Sequence, residues 1–146
     1  MQGQADRSTA VVPSHSFLEH TGEVRLQLQA GSLAELLAEA GRALAELLLR
    51  GASGGQVGPA EEIEVRSADR AALLVDWLNE LIYRAESGVA VPTEFDVREV
   101  GDSVIRARIR SAPVEQSPAL VKAATLHGVR VEPVAGGWEG DVILDV

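Results

Sequence analysis

Acidic residues near the two ends of the chain are the groups best placed to do chemistry. Glu19 and Glu23 flank His20, Thr21 and Gly22, while Asp141 and Asp145 lie close to the last residue, Val146. A chain-terminal carboxylate is an anionic oxygen ligand, and Asp145 adds two oxygens immediately before it. If the last strand pairs near Glu19–Val24, then Glu23, Asp145 and Val146 converge. Such a cluster is repulsive unless a cation sits within it, and oxygen-only ligands suit Ca²⁺, Mg²⁺ or Mn²⁺ rather than zinc. The competing reading is that these acids solvate a sheet edge and blunt pairing there.

The other candidates are weaker. His15 falls in a leader and is expected to be inert, and His20 and His127 are expected to hydrogen-bond backbone at turns. Ser16 and Thr21 adjoin histidines, but adjacency is not a catalytic triad, and no Gly-x-Ser-x-Gly elbow exists. Lys122 is the only lysine. Arg106, Arg108 and Arg110 alternate on one strand face, either as an anion-recognition ladder or as a solvated face paired with acids such as Glu94 and Asp96. The glycine-rich stretch 51–60 follows a helix, precedes a strand and has no lysine, so it reads as a connector rather than a phosphate loop.

Composition narrows the class. The chain has 146 residues, 22 acids against 13 bases and no cysteine. A disulfide scaffold, a thiol nucleophile and a cysteine-based metal site are excluded. A net charge of −9 with 3% aromatic residues makes direct nucleic-acid binding a poor reading, because phosphate grip needs clustered cations and base stacking needs aromatics. No apolar run approaches the ~20 residues that span a bilayer. The N-terminal segment lacks the charged-then-apolar layout of a secretory signal, so a cytoplasmic protein is expected.

The elements that must position these groups are legible from hydrophobic period. Residues 1–15 read as a flexible leader and residues 16–146 as one domain. Val24–Ala30 alternates as a half-buried strand. Ser32 and Glu35 form a Ser-x-x-Glu capping box before Leu33, Leu36, Leu37, Ala40, Leu44, Leu47 and Leu48, with Glu35, Glu39, Arg42 and Glu46 on the wet side and Gly51 as the stop. Glu61–Arg66 reads as a strand. Asp69 caps a second helix with a stripe of Leu73, Leu74, Trp77, Leu78, Leu81 and Ile82, ended by Gly88, and Asp76, Asn79 and Glu80 face water or a partner. Strand-like segments follow at Phe95–Val100, Ser103–Ile109, Leu120–Leu126, Val129–Val134 and Trp138–Val146. The order predicts an α+β fold, a mixed or antiparallel sheet with two helices packed on one face.

As a set, Phe17–Val24 (FLEHTGEV), Leu74–Tyr83 (LVDWLNELIY), Val121–Val129 (VKAATLHGV) and Trp138–Val146 (WEGDVILDV) resemble the archease family, in order and over nearly the whole chain. The resemblance implies an accessory protein, not an enzyme, that assists an RtcB-type RNA ligase in tRNA splicing or RNA repair by promoting ligase guanylylation and repeated turnover. It also implies a divalent cation, often calcium, held at Glu23, Asp145 and Val146. Lys122 and His127 match the family's Lys-Ala-x-Thr-x-His pattern, and His20 its His-Thr motif. The chain departs from the family in Glu23, where aspartate is usual, in Gly22, where alanine or serine is usual, and in the loop Arg110–Ala119, which lacks a histidine common there. Two other functions stay open on the residues: a metal-dependent hydrolase or nucleotide-modifying enzyme built on His20, Glu23 and His127, and a general chaperone or adaptor.

Overall fold

The computed structural model describes residues 11–50, 52, 55–86 and 89–146. It contains seven strands, β1 (Ser14–His20), β2 (Glu23–Ala30), β3 (Glu61–Arg66), β4 (Ala90–Val100), β5 (Val104–Pro113), β6 (Ala123–Val134) and β7 (Gly137–Asp145), and two helices, α1 (Leu33–Leu49) and α2 (Arg70–Ala85). The α+β class is as expected, but the strands form two sheets rather than one. Both are antiparallel: a four-stranded sheet in the order β1-β2-β7-β6 and a three-stranded sheet in the order β3-β5-β4. The helices touch both, with α1 on β4 as well as β2 and β7, and α2 on β6 as well as β3 and β4.

The helix caps follow from local chemistry. The Ser32 hydroxyl accepts the Glu35 N–H at 3.1 Å, and the Asp69 carboxylate accepts the Ala72 N–H at 2.8 Å, each satisfying one of the orphan donors of a first turn. At the other end of α1 it is Arg50 that adopts the left-handed conformation, with φ 54°. Gly51, expected as the stop, and Gly88, expected to end α2, lie outside the described residues, as does the leader through residue 10. Ser14 and His15, expected in the leader, belong to β1.

Trp77 carries the junction between the helices. Its side chain is fully buried, its indole N–H donates to the Leu37 carbonyl at 2.8 Å, and its ring meets Phe95 edge to face with centroids 6.1 Å apart. Gly41 on α1 makes room for Phe95: a Cβ there would lie 2.8 Å from that ring. One core runs through Leu26, Leu37, Leu44, Leu74, Leu78, Ile105, Ile109 and Leu144.

Three strand expectations shift. β4 begins at Ala90 rather than Phe95, through Pro92, and its pairing with β5 changes register between Pro92 and Glu94. This suits an edge strand, where a residue without an N–H is tolerated. β5 runs on to Pro113. The two strands expected at Leu120–Leu126 and Val129–Val134 are one strand, β6, interrupted where residues Leu126–Val129 leave the pairing with β7. No helix among the described residues is long and apolar enough to cross a membrane.

Candidate functional site

The register of the four-stranded sheet decides which acids meet. β2 and β7 pair so that Glu23 opposes Asp145, and β1 and β2 pair so that His20 opposes Glu23. Directly opposed residues of antiparallel strands project to the same face. His20, Glu23 and Asp145 therefore form a row across three strands, on the face away from the buried Val24, Leu26 and Leu144. The Val146 N–H donates to the Gly22 carbonyl at 3.1 Å. Gly22 and Val146 thus make the hydrogen-bonded pair, and Glu23 and Asp145 make the adjacent non-hydrogen-bonded pair, the kind in which side chains stand closest. Lys122 joins through its backbone N–H, which donates to the Asp145 carbonyl at 2.8 Å.

Glu23 and Asp145 lie on β2 and β7, the two central strands, and Glu19 lies on the edge strand β1. Like charges placed opposite each other destabilise a sheet, so the pair needs compensation. The donors here are oxygens, two carboxylates beside the main-chain oxygens of Val146, which matches the preference of a hard divalent cation. Among the described residues no three histidine, aspartate or glutamate side chains are grouped to hold a metal. His20, Glu23 and His127 therefore do not form the metal centre that a hydrolase reading requires. His127 sits in the unpaired excursion of β6, exposed beside Gly128 at φ 68°, rather than at a turn between two strands.

The arginine ladder is a solvated ion-paired face, but its acids are Glu62, Glu64 and Glu99 rather than the expected Glu94 and Asp96, the latter pairing with Arg98. Arg106 pairs with Glu99 and Glu64, Arg108 pairs with Glu62, and Arg110 donates to the Gly58 carbonyl. Asn79 turns inward to the sheet: its amide N–H donates to the Ala124 carbonyl at 3.1 Å, and its carbonyl accepts the Ala124 N–H at 2.8 Å. It thereby satisfies backbone on the outer edge of β6 and docks α2 there, as a neighbouring strand would.

Two buried polar groups escape sequence reasoning. Asp141 is 2% exposed on β7, held by Arg130, whose Nη2 and Nε donate to Oδ2 at 2.6 and 3.1 Å, with an Arg25 nitrogen 3.3 Å from Oδ1. Glu39, expected to be wet, is 7% exposed because β1 covers that side of α1. His15, expected to be inert, is the group that covers it. Its Nδ1 lies 2.6 Å from Glu39 and its Nε2 3.0 Å from Glu46. The signal available in the sequence was the Glu39–Arg42 spacing, which the structure closes as an ion pair of 2.9 Å.

This clamp makes stability depend on pH. Burial disfavours charge on His15, but its hydrogen bonds to Glu39 and Glu46 outweigh that and raise its pKa above 6.5. Burial likewise works against charge on Glu39, and its bonds to His15 and Arg42 prevail, lowering its pKa below 4.5. A raised histidine pKa stabilises fully below 6.5 and loses effect as pH rises through the raised value. A lowered glutamate pKa stabilises above 4.5 and loses effect as pH falls through the lowered value. The stability difference between wild type and His15→Gln, measured by urea unfolding, is therefore expected to be largest between about pH 4.5 and 6.5 and to shrink by pH 8.5. A difference independent of pH rejects the clamp.

The sequence matches the model of the archease protein family (MTH1598/TM1083) over residues 15–146. The chain belongs to the archease family. A protein archease of Methanosarcina acetivorans is 30% identical over 144 residues, covering 90% of this chain and 95% of the relative. Among solved structures, protein 1598 of Methanobacterium thermoautotrophicum aligns with a TM-score of 0.68 at 22% identity, over 90% of this chain and 98% of that one. A Thermotoga maritima crystal structure, described as an archease and possible chaperone, aligns with a TM-score of 0.59 at 19% identity, over 88% and 94%. At those identities the two structures establish a shared fold.

Proposed function

We propose that this archease is an accessory protein of an RtcB-type RNA ligase, promoting ligase guanylylation and multiple turnover in tRNA splicing or RNA repair, and that it works through a divalent-cation site at Glu23, Asp145 and Val146. The observation that supports this reading is the opposition of Glu23 and Asp145 in the non-hydrogen-bonded pair next to Val146. When bound, a Ca²⁺, Mg²⁺ or Mn²⁺ ion supplies the positive charge that lets the two carboxylates stand together. Glu23 and Asp145 would hold it by carboxylate oxygens and Val146 by a main-chain oxygen. The Gly22 and Lys122 backbone bonds orient these ligands from either side.

The role of the chain is to present this acidic tip. A protein of net charge −9 meets a ligase surface that is basic to hold RNA and GTP, and complementary charge speeds encounter and fixes orientation. His20 and Lys122, both exposed beside the acids, are placed to contact the partner at the same tip. His127, exposed in the β6 excursion, is the third candidate for partner contact. Nucleic acid and membrane are not partners in this reading, and the protein acts in the cytoplasm.

The test is ligation with limiting ligase. Asp145→Ala is expected to reduce the number of turnovers per ligase at least tenfold, and to abolish the calcium-binding isotherm of the purified protein. Equal turnovers for variant and wild type reject the role. A general chaperone would instead suppress aggregation of unrelated proteins without Asp145; the Thermotoga maritima structure is described as a possible chaperone.

A further inference from the structure

Arg25 stands between two carboxylate sites on the outer face of the four-stranded sheet. The register sets it on β2 directly opposite Ile143 of β7. Asp145 and Asp141 lie two positions either side of Ile143, so both are diagonal neighbours of Arg25 on one face, about 7–8 Å away and within reach of a long side chain. Glu23 lies two positions back along β2, on the same face. A guanidinium there can turn toward the acid pair at the tip or away from it, and it turns away. Arg25 Nη2 lies 3.3 Å from Asp141 Oδ1. The other Asp141 oxygen is already held twice, by Nε and Nη2 of Arg130. Oδ1 accepts no hydrogen bond, so Arg25 meets it by charge alone, through a side chain that is half exposed.

Burial decides the direction. Charge attraction strengthens as water is excluded, and a buried carboxylate oxygen without a hydrogen bond is costly to leave alone. Asp141 is buried, whereas Glu23 is exposed and Asp145 half-buried, so Asp141 holds the guanidinium more strongly than the tip does. Turned the other way, Arg25 would neutralise Glu23 and Asp145 and take the place of a cation between them. We propose that Asp141 is a positioning residue of the candidate cation site: it draws Arg25 to itself and so keeps the acid pair open to a divalent ion. Arg130 fixes Oδ2 and leaves Oδ1 to Arg25. The inference rests on the cation reading above and adds the residue that keeps that site free.

The probe is calcium alone, titrated calorimetrically into the full-length protein at physiological ionic strength, where the field of an exposed charge is largely screened beyond about 8 Å. Asp141→Asn is expected to weaken calcium binding about fivefold, the upper scale of one exposed ion pair, as Arg25 turns to the tip. In the Arg25→Gln background the same substitution is expected to cost less than twofold, because no guanidinium remains to compete. Equal weakening in both backgrounds is the additive result of independent effects and overturns the inference, as does wild-type affinity of Asp141→Asn. Arg25→Gln alone tests the inference even if Asp141→Asn does not fold. Its calcium affinity is expected to stay within about twofold of wild type, since Arg25 is already held away. Fivefold tighter binding by Arg25→Gln would place the guanidinium at the tip in the wild-type protein and overturns the inference. Each of these failures leaves the cation reading standing. Absence of calcium binding by wild type and by Arg25→Gln overturns both.

Discussion

Trp77→Ala is expected to lower unfolding stability by about 4 kcal/mol, within the range for deleting a large buried aromatic side chain. Three losses coincide. The indole leaves a cavity at a fully buried position, its edge-to-face contact with Phe95 disappears, and the Leu37 carbonyl on α1 loses the donor that meets it at 2.8 Å. A buried carbonyl left without a partner adds its own desolvation cost. For a chain of this length the melting temperature is expected to fall by roughly 10 °C. Trp77→Phe separates the contributions. It keeps a six-membered ring in the core but removes the N–H and part of the indole volume, so its loss is expected to be smaller than that of Trp77→Ala. Equal losses for the two variants would mean that the hydrogen bond, not the packing, holds the helices together.

The second large effect comes from a glycine that offers no contact at all. Gly137 opens β7, and a Cβ built there lies 2.2 Å from the Ala30 carbonyl oxygen and 3.1 Å from the Val11 Cβ. Backbone cannot swing aside as a side-chain tip can. Ala30 pairs with Trp138 in the β2–β7 ladder, so relief requires opening the end of that ladder. Gly137→Ala is expected to cost about 3 kcal/mol, at the upper end of overpacking penalties. Gly101→Ala, where nothing lies within 4 Å, is the matched control and is expected to be close to neutral. Urea unfolding of both variants checks the pair. A small loss at Gly137 would show that the end of β7 yields without disturbing the sheet.

The same ladder carries the candidate site at its other end. Pairing Ala30 with Trp138 and Glu23 with Asp145 are consequences of one register, and a slip by one residue would send Glu23 and Asp145 to opposite faces. The narrow approach at Gly137 and the alternating burial of Val24, Leu26, Leu28 and Ala30 both oppose such a slip. The geometry of the acids is thus maintained by apolar burial that begins at the neighbouring Val24 and by a steric term at Gly137 some 20 Å away, at the strand rise of about 3.3 Å per residue.

Local order alone determined much of this protein. The helix periods, the Ser32 and Asp69 caps, the β2 alternation and the bounds of β3 all arise from residues within a few positions of each other, so they can be read along the chain. The acids at Glu23 and Asp145 were identifiable by type, and their convergence was conditional on one strand pairing. Tertiary structure alone decided that pairing, the division into two sheets, the fusion of two expected strands into an interrupted β6 and the turning of Asn79 to the Ala124 backbone. It also decided that His15 closes over Glu39 and that Arg130 buries Asp141. Strand partnership joins segments far apart in sequence, and burial of a charged group depends on which distant element lies over it. Periodicity specifies which face of an element is apolar, but the element that covers the opposite face is chosen only when the whole core assembles.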